Sequence, residues 1–186
     1  MKTLTDLHKK IHVCTRCLLA QTVCGKVVGS GYEKAHILII GEAPGKTEDE
    51  TGEPFVGASG KILNELLYSI GCMRSDVFIT NIIKCRPPKN RDPSAEEINT
   101  CLVWLIQQIG IIQPKVIITL GRHALKILTQ DSSDISLCHG TILSMSHLKG
   151  KNIIILPLYH PAASIYNRKL RRTLFEDIQK LPDLLI

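Results

Sequence analysis

The sequence is short of aromatic residues, with one Trp, four Tyr and three Phe among 186. Its core must be built from aliphatic side chains, so an aromatic ring in a glycine-flanked loop stands out. Long apolar runs are also missing. Ile153–Leu158 is typical of those present, far below the ~20 residues of a membrane-spanning helix. There is no internal repeat, no low-complexity tract and no Pro- or Gly-rich linker, and 44% hydrophobic residues argue against wholesale disorder. Met1–Lys10 alternates charged and polar residues with leucine, which is not the pattern of a signal peptide. No membrane partner is expected.

What is present begins with seven cysteines. Without a leader they imply a reducing, cytoplasmic compartment, where thiols serve as ligands or core residues rather than disulfides. Lys and Arg total 23 against 17 acids, a formal charge of +6, which favours a polyanionic partner without identifying one. The length fits a single domain, residues 1–186.

Four short runs rich in Ile, Leu and Val read as buried parallel strands: Ala35–Ile40, Val77–Thr80, Val116–Leu120 and Ile153–Leu158. Helical periodicity lies between them. Ser59–Ile70 puts Ile62, Leu63, Leu66, Leu67 and Ile70 on one face, with Gly71 as a stop. Ser94 and Glu97 form a capping box behind Pro93. Further helices are expected near Arg122 and from about Lys169 to Lys180. Alternating strands and helices predict an α/β fold, a three-layer α/β/α sandwich around a central four-stranded parallel sheet. The strands lead to Gly41-Glu42, Asn81, Gly121 and His160-Pro161. In open α/β sheets the crevice beyond the carboxyl ends of the strands takes ligands, so Glu42, Asn81 and His160 are expected to converge.

Gly41-Glu-Ala-Pro-Gly45-Lys46-Thr47 invites a nucleotide-binding reading, but it has three residues between its glycines where a P-loop has four. One of the three is Glu42, which would repel phosphate. A plain tight turn accounts for the glycines but not for two carboxylates, Glu42 and Glu48, near the working edge.

Cys14 and Cys17 form a CxxC pair, and Cys85 and Cys101 are separated by fifteen intervening residues. A CxxC turn presents two thiolates to one centre, and a second pair brought in by the fold closes a four-thiolate site. Zinc and an iron–sulfur cluster both suit that set, the split second pair leaning toward a cluster. Cys24, Cys72 and Cys138 lack partners at ligand spacing and read as small core residues. The run Lys84-Cys85-Arg86-Pro-Pro-Lys89-Asn90-Arg91 is basic, so the metal site would brace a DNA-contacting loop. Arg168, Lys169, Arg171 and Arg172 form a second basic group, equally a solvated helix face or a phosphate-binding one.

Gly41-Glu-Ala-Pro-Gly45 with Glu48-Asp49, then Gly52-x-Pro-Phe55-Val-Gly57, Asn81-x-x-x-Cys85-Arg-Pro-Pro88 and His160-Pro-Ala-Ala163, in that order over roughly Cys14 to Leu181, together resemble family 4 uracil-DNA glycosylases. The resemblance implies an enzyme of base excision repair that flips deoxyuridine from DNA, hydrolyses the N-glycosidic bond and leaves an abasic site without cutting the strand. It implies a [4Fe–4S] cluster on Cys14, Cys17, Cys85 and Cys101, held by an N-terminal cluster-binding arm. It implies that Gly41, Glu48, Phe55, Asn81 and His160 contact uracil: Phe55 stacks, Asn81 reads the polar edge, His160 bonds O2, and Glu48 crowds C5. Better-known uracil glycosylases carry Gln and then a catalytic Asp in the first motif; here Glu42 and Ala43 stand in those places. Glu42 and Asn90 are therefore the candidates for placing the water. The sequence Ser-Ile-Tyr-Asn after Ala163 departs from the bulkier aliphatic stretch common in relatives. Such a protein is expected to be a nucleoid-associated monomer acting on single- or double-stranded DNA; the sequence specifies no sliding clamp or other repair partner.

The chemistry suits these residue types. A base inside a duplex cannot be attacked and must be extruded or met in a single strand, and stacking on a ring such as Phe55 returns roughly 1–3 kcal/mol. An amide both donates and accepts, as uracil N3–H and O4 demand; cytosine presents the opposite pattern and would leave the amide mispaired at a cost of about 1–3 kcal/mol. His8, His12, His36, His123, His139 and His147 read as structural or solvent-exposed. Two rival functions fit the same residues: a non-catalytic iron–sulfur DNA-binding module, and a glycosylase with broader taste for deaminated bases.

Overall fold

The computed structural model describes residues 3–129, 134–148 and 151–185, apart from the side chains of 145–148 and 151. The strands are β1 (Ser30–Gly31), β2 (Ile37–Gly41), β3 (Phe78–Asn81), β4 (Val116–Leu120), β5 (Leu143–Leu148) and β6 (Lys151–Leu158). The helices are α1 (Leu4–His12), α2 (Lys46–Thr51), α3 (Ala58–Ser69), α4 (Ala95–Ile112), α5 (Arg122–Thr129), α6 (Ile135–Cys138) and α7 (Arg168–Ile178). No helix among the described residues is long and apolar enough to cross a membrane.

The fold is α/β, but the four-stranded parallel sheet is corrected to a six-stranded mixed one in the order β1-β3-β2-β4-β6-β5. The four expected strands are its parallel centre. The two edges are antiparallel: β1 on β3 and β5 on β6. Both edges escape a search for apolar runs for a physical reason. β1 has only two residues, and β5 reads Leu-Ser-Met-Ser-His-Leu, the alternation of a strand with one wet face.

Because side chains alternate along a strand, each central strand feeds two cores. Leu38, Ile40, Phe78, Ile117 and Ile155 join α1, α4 and α5 on one face. Ile37, Ile39, Ile79, Ile118 and Leu156 join α3 and α7 on the other. Helix α3 buries Ile62, Leu63, Leu66 and Leu67, the face read from its periodicity, and Gly71 follows at φ 72°. Helix α4 opens with the expected box: Ser94 Oγ accepts from Glu97 N at 3.2 Å and Glu97 Oε2 accepts from Ser94 N at 2.8 Å.

The chain leaves β2 toward α3 on one face and leaves β4 toward α5 on the other. Two adjacent parallel strands whose onward connections diverge leave a crevice at their carboxyl ends. That crevice holds the site.

Candidate active site

A cavity of about 330 Å³ opens there, within the roughly 300–1,000 Å³ of small-molecule pockets. Its lining brings Glu42, Glu48, Phe55, Asn81, Asn90 and His160 together from five separate stretches of chain. Gly41 lies beneath them. A Cβ there would stand 2.5 Å from both Asn81 Oδ1 and the Phe55 ring, so only glycine allows the amide and the ring to share this floor. Asn81 ends β3 and is 1% exposed. Its Oδ1 is buried with no hydrogen-bond partner, an arrangement that costs free energy unless a ligand donor fills it.

Phe55 is buried, and its backbone sits at φ 52°, a left-handed conformation that is strained for a bulky residue. The loop is held from both sides. Arg74 donates to Pro54 O at 2.7 Å and to Phe55 O at 3.0 Å, while Glu48 Oε1 accepts from Val56 N at 3.0 Å and Gly57 N at 2.8 Å. Glu48, expected to touch a base at C5, is thus first of all the brace of the loop bearing the ring. Behind the loop a Cβ on Gly60 would lie 1.8 Å from Phe55 O.

His160 follows β6, its ring 5.8 Å from that of Phe55 and tilted by 33°. Its Nδ1 accepts from Ala162 N at 3.1 Å, which places the proton of the neutral ring on Nε2. Burial pushes its pKa down to about 4, against the opposing pull of Glu48. At neutral pH it is an uncharged donor.

Glu42 is raised above the usual carboxylate range, first by burial and then by Asp92, while His123 and Arg122 oppose this. Asn90 sits at φ 54°, and its Oδ1 accepts from Arg86 Nε at 2.7 Å. One of the two lone pairs of its amide oxygen is therefore taken, and an amide is in any case no base for a water. Of the basic run, Arg91 pairs with both oxygens of Glu97 at 2.9 and 2.7 Å. Lys84 does not belong to a DNA-facing surface at all. It is 1% exposed, and its Nζ donates to Thr80 Oγ1, Asn81 O and Gln108 Oε1, each at 2.7 Å.

Cys14, Cys17, Cys85 and Cys101 line one small cavity between the N-terminal arm, the end of β3 and α4. No three of their sulfurs lie within 4.8 Å of one another, whereas four thiolates bound at 2.3 Å to one zinc would stand about 3.8 Å apart. The set is spread more widely than a single ion requires. Burial, reinforced by the other three sulfurs, pushes the Cys85 thiol up to about 12. Trp104 lines the same cavity, and its buried Nε1 has no partner. Of the remaining cysteines, Cys24 is exposed rather than a core residue, and Cys72 and Cys138 are half-buried.

Residues 28–181 match the family described as the uracil DNA glycosylase superfamily. A type-4 uracil-DNA glycosylase of Sulfurisphaera tokodaii is 45% identical over 100% of this chain and 86% of its own. That of Archaeoglobus fulgidus is 43% identical over 99% and 94%, and that of Saccharolobus solfataricus 42% over 100% and 88%. The chain belongs to the type-4 uracil-DNA glycosylases.

In this family member the sequence misses three residues that crowd Glu42. His123, read as structural or exposed, lies with Nε2 3.8 Å from Glu42 Oε2. Asp92 and Arg122 complete the group. The signal available beforehand was position: His123 is the second residue after Gly121, where β4 delivers the chain to the same sheet edge. Among the other histidines, His8 is half-buried near Phe78 and Lys84, and His139 pairs with Asp177 at 2.8 Å. The side chain of His147 lies outside the described residues.

Proposed function

We propose that the protein releases uracil from DNA by hydrolysing the N-glycosidic bond, leaving an abasic site. The observation that carries the reading is the unpaired, buried Oδ1 of Asn81 on the floor of a cavity flanked by Phe55 and His160. A flipped uracil supplies the missing donor from N3–H, the Asn81 amide nitrogen donates to O4, and Phe55 stacks on the ring. As the C1′–N1 bond breaks, its electron pair leaves with uracil, and the neutral Nε2–H of His160 meets the charge growing at O2. Glu42 orients the attacking water and takes its proton, with Asn90 holding that water. Glu48, fixed between the glycine loop and the Phe55 loop, forms the wall that a 5-methyl group would strike. The described residues lining the cavity include no lysine, so no amine is placed to form the Schiff base of a strand-cleaving enzyme.

In this reading residues 1–186 act as one domain and as a monomer. Cys14, Cys17, Cys85 and Cys101 hold a [4Fe–4S] cluster. Support comes from four thiols around one cavity, spread more widely than a single ion requires, beside the partnerless indole N–H of Trp104. When bound, the cluster supplies a covalent tie between the N-terminal arm and the segment after β3. Its loss in Cys85→Ser should lower solubility and melting temperature before base preference changes. Normal melting in an iron-free variant would refute the structural role.

Uracil release is tested on a labelled oligonucleotide with one uracil, read as an alkali-labile break, with thymine and cytosine controls. Breakage after alkali in the uracil strand alone is expected. No product from cluster-intact protein on single- or double-stranded substrate would refute the proposal.

A further inference from the structure

Glu42 closes one side of the cavity, and the side chains that face it from other elements form a connected group. On α5, His123 Nε2 lies 3.8 Å from Glu42 Oε2 and 3.4 Å from Asp92 Oδ2. Arg122, also on α5, binds the same Asp92 oxygen at 3.1 Å and donates from Nε to His123 Nε2 at 3.0 Å. Glu42 and His123 are each 25% exposed, against 63% for Asp92 and 70% for Arg122. The outer pair is a surface ion pair of small worth. The inner pair sits where water screens less and a charge at 3.8 Å counts.

We infer that His123 is a positioning residue for the hydrolysis: braced by Arg122 and Asp92, its imidazole sets the aim and the charge of the Glu42 carboxylate. The inference rests on the reading of Glu42 as the group that takes the proton of water. Such a group must be ionised to work. Burial opposes this, as does Asp92, whereas a charged His123 and Arg122 favour it. The ring has two settings. Neutral, its Nε2 accepts from Arg122 and leaves the carboxylate free; protonated, it turns from acceptor to donor and leans on Asp92 and Glu42. Across the cavity stand Glu48, His160 and Arg91, the last already paired with Glu97. His123 is therefore the group on α5 that reaches Glu42 itself.

The test is single-turnover uracil release from a single-stranded oligonucleotide between about pH 5 and pH 9. It compares cluster-loaded wild type, Glu42→Gln, His123→Ala, His123→Gln and Asp92→Asn, with substrate affinity measured alongside. His123→Ala should be slower by about tenfold or more with affinity little changed, and the acid limb of its profile should move to higher pH, because a charge that favoured the carboxylate is gone. Asp92→Asn should move the limb the other way. His123→Gln keeps a hydrogen-bonding side chain and should recover part of the rate but not the position of the limb. A His123→Ala profile superimposed on wild type overturns the inference, as do limbs that move in the same direction in His123→Ala and Asp92→Asn. Glu42→Gln at the wild-type rate removes the residue that His123 would serve and overturns it too. No release by wild type would refute the proposed function itself.

Discussion

His160 shows how one residue's surroundings decide its chemistry. A charged imidazole would attract the leaving uracil anion but would also bind phosphate and water beforehand. Burial holds the ring neutral, with a pKa of about 4, and the bond from Ala162 N to Nδ1 fixes the remaining proton on Nε2. In the proposed mechanism the donor is preset for a charge that exists only as the bond breaks, which is where a hydrogen bond lowers a barrier. His160→Ala should therefore lower single-turnover uracil release by about 100- to 1000-fold while oligonucleotide affinity, measured by anisotropy, changes little. An equal loss in both would mean that the ring binds DNA rather than the transition state. Glu42, Asn81 and His160 were legible because each follows an apolar strand, and strand ends converge by topology. Asp92 was not, because its meeting with Glu42 depends on the path of the loop ahead of α4, which no spacing encodes; for His123 the signal was its place just after the end of β4, at the start of α5.

At the scale of elements, the loop between α2 and α3 holds a strained residue at the site. Phe55 adopts a left-handed backbone, costing of order 1–3 kcal/mol, and Arg74, Glu48 and the bare face of Gly60 hold it there. Alanine at position 60 would improve helix propensity in α3 by about 1 kcal/mol. Its Cβ would also meet Phe55 O at 1.8 Å, and overpacking of this kind costs about 1–3 kcal/mol. The second effect wins. Gly60→Ala should lower the thermal midpoint modestly and lower uracil release disproportionately, because what must shift is the backbone carrying Phe55, the ring proposed to stack on the base. Unchanged uracil release would mean that Phe55 is not the platform. The helix itself was legible from its apolar face and Gly71; the left-handed turn ahead of it was not, since no glycine or asparagine marks Phe55.

At the scale of the whole molecule, one buried polar knot joins the two sites. Lys84 binds the carbonyl of Asn81 on one side, and its amide nitrogen donates to Cys101 Sγ at 3.4 Å on the other. Gln108 links it to α4 and to Val28 O. Beside it, burial and then the charge of Lys84 push His8 down to about 4, as burial does His160. The sign of the pH dependence follows. Both histidines titrate near 6.5 in the unfolded chain, so between about pH 6.5 and pH 4 the unfolded state binds more protons and stability rises with pH. The contribution is fully present above 6.5 and is lost as pH falls through 4. The full shifts convert at 1.36 kcal/mol per unit, but both rings are partly exposed, so a combined loss on the order of 2 kcal/mol is the sounder expectation. Urea midpoints measured anaerobically at about pH 7 and pH 4.5 should differ in that sense, and His8→Phe should shrink the difference. Midpoints that stay level, or that rise toward acid, would mean that neither ring is held neutral by the fold. The neutral His160 donor on which the proposed chemistry depends would then be lost as well.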